Sequence, residues 1–194
     1  MRIIAGQFRG RPLAAPGNAH TRPTSDRVRE SVFNILEHGI AGFSLTGIRV
    51  LDLFAGTGGL GLEALSRGAA FCLFVEEDAA ASGLIRRNIE AFGLTGITKV
   101  FRRDATDLGP AGTRGGFGLV FLDPPYGKGL ADRAFASAAA GGWLGTGAIV
   151  VIEDSRRAAI TLPQDCTALG ERSWGDALVV FARFEGASTS RITS

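Results

Sequence analysis

The order of apolar runs along this chain predicts an α/β fold built on a mostly parallel sheet. Segments 48–54, 70–76, 97–102, 117–122 and 148–152 are near-continuous apolar runs of strand length. Segments 59–67, 79–92 and 130–140 lie between them at helical spacing, as Leu84, Ile85, Ile89 and Phe92 show. Strands that are apolar on both sides and alternate with helices form a parallel sheet covered on both faces.

Before this pattern, residues 2–5 and 11–14 are short apolar runs around Gly6-Gln7-Phe8-Arg9-Gly10, a hairpin with a basic tip. Residues 15–23, with Pro16, Gly17, Asn18 and Pro23, form a connecting loop. Ser25 is placed to cap a helix over 26–38 with Val28, Val32, Ile35 and Leu36 on one face and Arg27, Glu30 and Asn34 on the other. At the far end, 167–174 and 177–184 flank Gly175-Asp176 and predict an antiparallel hairpin closing one sheet edge. The organisation expected is a basic hairpin and loop over 1–23, a main domain over 24–185 that includes the leading helix, and a frayed polar tail over 186–194. The chain has no internal repeat.

With 194 residues, 45% hydrophobic and 21% charged, the chain suits one globular domain. A domain of this size buries roughly 70% of its unfolded surface, so it needs no disulfide or structural metal. Cys72 and Cys166 have no CxxC neighbour, and with only His20 and His38 no metal-ligand pattern is formed. Gln7, Arg9 and Arg11 sit where a signal peptide needs an apolar core, and no apolar run approaches the ~20 residues of a membrane span. A reduced, cytoplasmic, monomeric protein without metal or membrane contact is expected. The net charge of +2 is unevenly spread: residues 1–30 hold six arginines against Asp26 and Glu30, and the remainder is slightly acidic.

Gly56-Thr57-Gly58-Gly59-Leu60-Gly61 fits GxGxxG directly after the first sheet strand. The chain has 28 glycines, so about 0.6 such matches arise by chance, and context must carry the motif. The context is the carboxyl end of a strand, where open α/β sheets bind ligands. A dinucleotide would set its pyrophosphate on this turn, where the Asp52 carboxylate would repel it. A carboxylate there suits a cationic ligand such as S-adenosylmethionine, with Phe54, Ala55, Gly56, Gly58 and Gly61 forming the surrounding turn. Glu76, ending the second strand, has two oxygens for the ribose hydroxyls. Asp104, after the third strand, can accept from an adenine amine, with the Ala105 amide available to a ring nitrogen. Each acid could also be a solvated strand-end or capping residue; three acids after three successive strands favour the ligand reading.

Asp123-Pro124-Pro125-Tyr126 ends the fourth strand, and this composition produces such a run by chance roughly one time in a thousand. Its bland reading is a proline-stopped strand. Tandem prolines stiffen the turn and leave carbonyls without competing amides. The Asp123 carboxylate and Pro124 carbonyl can then accept both protons of an exocyclic amine, while Tyr126 stacks on a flipped base. Holding the amine so that its lone pair faces a methyl donor is catalysis by positioning and electrostatics.

The run Asp52-Leu-Phe-Ala-Gly-Thr-Gly, Glu76 and Asp123-Pro-Pro-Tyr resembles the amino-methylating class I S-adenosylmethionine-dependent methyltransferases. The stretches Arg2-Ile-Ile-Ala-Gly-Gln-Phe-Arg-Gly-Arg, Arg22-Pro-Thr-Ser-Asp-Arg-Val-Arg-Glu-Ser-Val-Phe-Asn-Ile-Leu and Gly61-Leu-Glu-Ala-Leu-Ser-Arg-Gly-Ala narrow the resemblance to the RsmD-type 16S rRNA guanine-N2 methyltransferases, from residue 2 to about 184. The resemblance implies a Rossmann-like class I methyltransferase fold, its seven-stranded sheet mostly parallel with an antiparallel last strand. It implies S-adenosylmethionine as cofactor and a guanine of small-subunit ribosomal RNA as substrate, in the subunit or its assembly intermediate. It also implies that the helix starting near Thr24 packs beside the methionine end of the cofactor. The 105–116 loop acquires no role.

With such a substrate, Phe8, Arg9, Arg11, Arg22 and Arg27 are candidates to grip phosphates and stack on unpaired bases, unless they pair with Asp26 and Glu30 or face solvent. Rival readings are N6-methylation of adenine, a nicotinamide oxidoreductase and a non-catalytic RNA chaperone. Protein-glutamine methylation is further off because its signature usually begins with Asn. Asp52 opposes the oxidoreductase, and a chaperone has no use for Asp123-Pro-Pro-Tyr.

Overall fold

The structure is a computed structural model that describes residues 1–15, 26–126, 128–157 and 160–186. Much of the 15–23 loop, the Ser25 cap, Arg22 and the tail from 187 onward lie outside the described residues. The elements in chain order are α1 (Asp26–His38), β1 (Arg49–Leu53), α2 (Gly59–Ser66), β2 (Phe71–Val75), α3 (Ala79–Phe92), β3 (Thr98–Phe101), β4 (Phe117–Leu122), α4 (Leu130–Ala140), β5 (Leu144–Ser155), β6 (Cys166–Trp174) and β7 (Ala177–Phe184).

The strands form one seven-stranded sheet of order β3-β2-β1-β4-β5-β7-β6. The pairs β1–β2, β2–β3, β1–β4 and β4–β5 are parallel. Strand β7 runs antiparallel to both β5 and β6, so the terminal hairpin closes the edge as the sequence predicts. The alternation of the inner strands feeds two cores. Val50, Phe74, Phe121 and Val151 face Val32, Phe33, Leu62 and Ile89 of α1, α2 and α3. Leu51, Val75, Leu122 and Ile152 face Ala134, Phe135 and Ala138 of α4 and the fully buried Trp143. Helix α3 starts on Asp78, whose carboxylate accepts the Ala81 N–H at 2.8 Å, and stops at Gly93 with φ +69.

Two segments differ from the sequence expectation. Strand β5 runs from Leu144 to Ser155 rather than over 148–152, because Leu144 pairs with Phe117 and β7 pairs with it from Ile149 to Ser155. Neighbouring strands, not local apolarity, set its length. Strand β3 begins at Thr98 because residues Thr95–Ile97 form a short 3-10 turn.

The N-terminal arm is the predicted hairpin, bridged at Arg2 and Pro12, with the Ile3 N–H bonded to the Arg11 carbonyl at 3.0 Å. It lies flat on α2 and α3, with Ile3, Phe8 and Leu13 buried in the first core. The buried Glu63 carboxylate accepts the Ile4 and Ala5 N–H groups at 2.8 and 3.0 Å, and Ser66 Oγ accepts from Phe8 at 3.0 Å. Gly6 is obligatory at this contact: a Cβ there would lie 1.9 Å from the Ser66 carbonyl oxygen, and its φ is +79°.

Candidate active site

The first sheet strand ends in a turn held in backbone conformations that side chains avoid. Phe54 has φ +60, the one positive value for a non-glycine among the described residues, followed by Gly56 at +57 and Gly58 at +81. Such a residue costs roughly 1–3 kcal/mol and persists where its surroundings over-determine it. Here the Ala55 N–H bonds the Val75 carbonyl at 3.1 Å and the Gly58 N–H bonds the Ala55 carbonyl at 2.7 Å. Helix α2 then starts at Gly59 without a cap from Gly58, and its third N–H, that of Gly61, is taken by a carboxylate from β1.

Gly61 and Asp52 have different jobs from those the sequence suggests. Gly61 is buried, and a Cβ on it would lie 2.4 Å from Phe74 Cε1 and 2.6 Å from Cys72 Sγ. It permits close helix–sheet packing and is walled off from any ligand above the turn. Asp52, expected to face a cation, is 1% exposed, and its Oδ2 accepts the Gly61 N–H at 2.9 Å. Burial holds its carboxyl well above the usual range, the Gly61 N–H pulls it down, and the charges of Asp123 and Glu76 add to the rise. Asp52 therefore anchors α2 beneath the turn.

Glu76, at the end of β2, is half-buried. Its Oε2 accepts the Gly56 N–H at 2.8 Å and its Oε1 the Asp78 N–H at 2.9 Å. A carboxylate has about four acceptor sites, so two backbone bonds fix its orientation and leave capacity for a diol. Asp104 is exposed after β3, and its Oδ1 accepts both the N–H and the hydroxyl of Thr106 at 2.8 Å. Ala105 is buried in the second core, which anchors that turn.

Asp123, Pro124, Pro125 and Tyr126 follow β4. Asp52 pairs with Phe121, so alternation places Asp123 one step further along the same face, consistent with its effect on the Asp52 carboxyl. Pro124 is buried, Pro125 is exposed and Tyr126 is half-buried, its hydroxyl donating to Glu153 Oε1 at 2.8 Å. Glu153 on β5 is 7% exposed, and sequence reasoning missed it. The available signal was a pair of acids, Glu153-Asp154, interrupting an apolar strand just beyond its predicted end. Turn, Glu76 and Asp123 thus converge at the carboxyl edge of β1, β2 and β4. No group of acids, cysteines or histidines able to hold a metal occurs among the described residues, and no described helix is long and apolar enough to cross a membrane.

The basic arm divides. Arg9 and Arg27 are exposed and, with Arg2, Asp26 and Glu30, line a cleft of about 330 Å³ between the arm and α1, where Arg2 pairs with Asp26 at 3.7 Å. Phe8 is turned inward instead, stacked on Phe92 with centroids 5.3 Å apart, because its apolar ring is worth more in the core. The Arg11 guanidinium lies 4.3 Å over the Phe92 ring and donates to the Ala91 carbonyl, so it ties the arm to α3. Phe8 is buried and does not hold the RNA-facing position expected of it, whereas Arg11 stays exposed while tied to α3. Sequence reasoning also missed Asn88: this buried amide accepts the Ala14 N–H at 2.7 Å and donates to the Thr57 carbonyl at 3.1 Å, joining arm to glycine turn.

The family model described as Conserved hypothetical protein 95 matches residues 1–183. The chain belongs to this family, the RsmD family. Ribosomal RNA small subunit methyltransferase D of Escherichia coli (strain K12) is 39% identical over 153 residues, covering 79% of this chain and 74% of that protein. The protein of the same name from Haemophilus influenzae is 34% identical over 177 residues, 90% of this chain and 89% of that one. Among solved structures, yhhF from Escherichia coli matches with TM-score 0.81 at 34% identity, over 96% of this chain and 98% of that one. RsmD family membership makes the chain an S-adenosylmethionine-dependent methyltransferase.

Proposed function

We propose that this chain methylates the exocyclic N2 of a guanine in small-subunit ribosomal RNA, acting as a cytoplasmic monomer on the subunit or its assembly intermediate. RNA methylation follows the named relatives. The observation that carries the choice of an exocyclic amine is the Asp123-Pro124-Pro125-Tyr126 turn, set beside the glycine turn on one sheet face.

S-adenosylmethionine supplies a methyl group on a positively charged sulfur. Its fit rests on the Gly59 and Leu60 N–H groups at the start of α2 for the methionine carboxylate, Glu76 for the ribose hydroxyls, and Asp104 with the Ala105 N–H for the adenine. Asp123 and the Pro124 carbonyl accept the two amine protons, and the tandem prolines hold the turn rigid. With both protons held, the amine lone pair would face the methyl group that bound S-adenosylmethionine would supply. Asp123 is the acceptor for the proton the nitrogen sheds, which passes on to solvent. Tyr126, fixed by Glu153, offers its ring as the stacking platform. Arg2, Arg9 and Arg27 supply phosphate contacts.

The test is incubation with labelled S-adenosylmethionine and small subunits lacking the modification, followed by nucleoside analysis. Label in N2-methylguanosine is expected. Label in N6-methyladenosine, or none, overturns the reading.

A further inference from the structure

We infer that Glu153 reads the target base, its carboxylate accepting the N1–H of the guanine whose N2 amine Asp123 and Pro124 hold. This rests on the guanine-N2 reading and explains how that base is told from adenine.

Strands β4 and β5 are parallel and in register, with Leu122 beside Ile152, so the next positions bring Asp123 and Glu153 side by side. Alternation sends both to the face of α1, since Phe121 and Val151 belong to that core while Leu122 and Ile152 belong to the other. The adjacent acid, Asp154, falls on the opposite face, toward α4, where burial first and the Asp154 charge second raise the Asp132 carboxyl. Asp52 is spent on Gly61. Glu153 is thus the second carboxylate at the amine-holding turn, and its Oε1 is fixed by the Tyr126 hydroxyl at 2.8 Å. A carboxylate offers about four acceptor sites, of which the Tyr126 hydroxyl takes one.

That acceptor pair matches one base edge. Guanine presents N1–H and N2–H₂ side by side, two donors in a row. Adenine presents its N6 amine beside an N1 lone pair, which would face the Glu153 carboxylate with no proton between them. A site built on hydrogen bonds rejects the analogue that lacks the donor far more strongly than an apolar pocket does.

The decisive probe is 2-aminopurine, which keeps the N2 amine but has no hydrogen on N1. Small subunits reconstituted with guanine or 2-aminopurine at the target position are compared by kcat/KM. The wild-type chain should favour guanine by about 100-fold or more. In Glu153→Gln, whose amide can donate or accept, the ratio should fall by about tenfold or more, with S-adenosylmethionine affinity unchanged. Tyr126→Phe removes only the phenol and should keep the wild-type ratio while lowering both rates. The proposal is overturned if Glu153→Gln slows both substrates equally, which would make Glu153 a positioning residue for Tyr126 alone, or if Tyr126→Phe itself erases the ratio. Should Glu153→Gln fail to fold, the Tyr126→Phe ratio decides. If the wild-type chain labels adenine and not guanine, the guanine-N2 reading itself has failed.

Discussion

Replacing Gly61 by alanine tests whether the third glycine of the loop is there for packing. Gly61 is helical, so its backbone tolerates alanine, and helix propensity alone would favour the change by about 1 kcal/mol. Against this, the added Cβ meets Phe74 Cε1 at 2.4 Å, Cys72 Sγ at 2.6 Å and Asp52 Oδ2 at 3.0 Å. Phe74 and Cys72 are fully buried and Asp52 nearly so, and none of the three contacts is the free end of a flexible chain. Overpacking costs typically 1–3 kcal/mol and occasionally more, and two contacts under 3.0 Å with buried side chains put this one at about 3 kcal/mol, so a net loss of about 2 kcal/mol is expected. In a domain of this size that lowers Tm by about 4–8 °C in calorimetry. The same shift pushes α2 off β1 and weakens S-adenosylmethionine binding in titration calorimetry. Gly83→Ala is the control: it lies inside α3 with no atom within 4 Å of the added Cβ, and it should raise Tm by about 2–4 °C. If Gly61→Ala is as stable as Gly83→Ala and binds cofactor normally, the packing account is refuted.

Asp52→Asn should flatten the pH dependence of stability. The raised native carboxyl means the folded state holds its proton longer, so Asp52 lowers stability progressively as pH rises above the unfolded value near 4. Chemical denaturation of both proteins from pH 4 to 8 measures this, and identical slopes would contradict it. Asn88→Ala strands the Ala14 N–H and the Thr57 carbonyl; it should cost about 1–3 kcal/mol and raise the cofactor Kd, seen by urea melts and calorimetry. Asp123→Ala should abolish methyl transfer while cofactor binding survives, and full residual activity would remove its assigned role. Arg9→Ala and Arg27→Ala should each weaken RNA binding and reduce the salt slope by about 1, whereas Arg11→Ala should lower Tm and leave that slope intact.

Much of the site was legible because its residues stand at strand ends, which apolar runs mark locally. Glu76, Asp104 and Asp123 fall where 70–76, 97–102 and 117–122 stop, and the glycine turn where 48–54 stops. Phe8 misled because its neighbours Arg9 and Arg11 suggested a surface, while its partner Phe92 belongs to another helix. Glu153 was hidden because β5 extends past its apolar run only where β7 pairs with it. The buried Arg29, whose Nη2 donates to the Arg2 carbonyl at 2.5 Å and to Asp26 at 2.9 Å, shares α1 with the exposed Arg27, and charge alone does not separate them.

The sequence by itself determined the alternation of strands and helices, the strained glycine turn and the rigid Asp-Pro-Pro-Tyr turn, since backbone periodicity and proline or glycine conformations are properties of neighbouring residues. The tertiary structure alone decided that Asp52 is buried beneath the turn, that Arg9 but not Phe8 meets solvent, and that Glu153 accepts the Tyr126 hydroxyl. Desolvation and pairing depend on groups brought together from distant parts of the chain, so the same carboxylate is a surface cap or a buried anchor according to the strand packed against it.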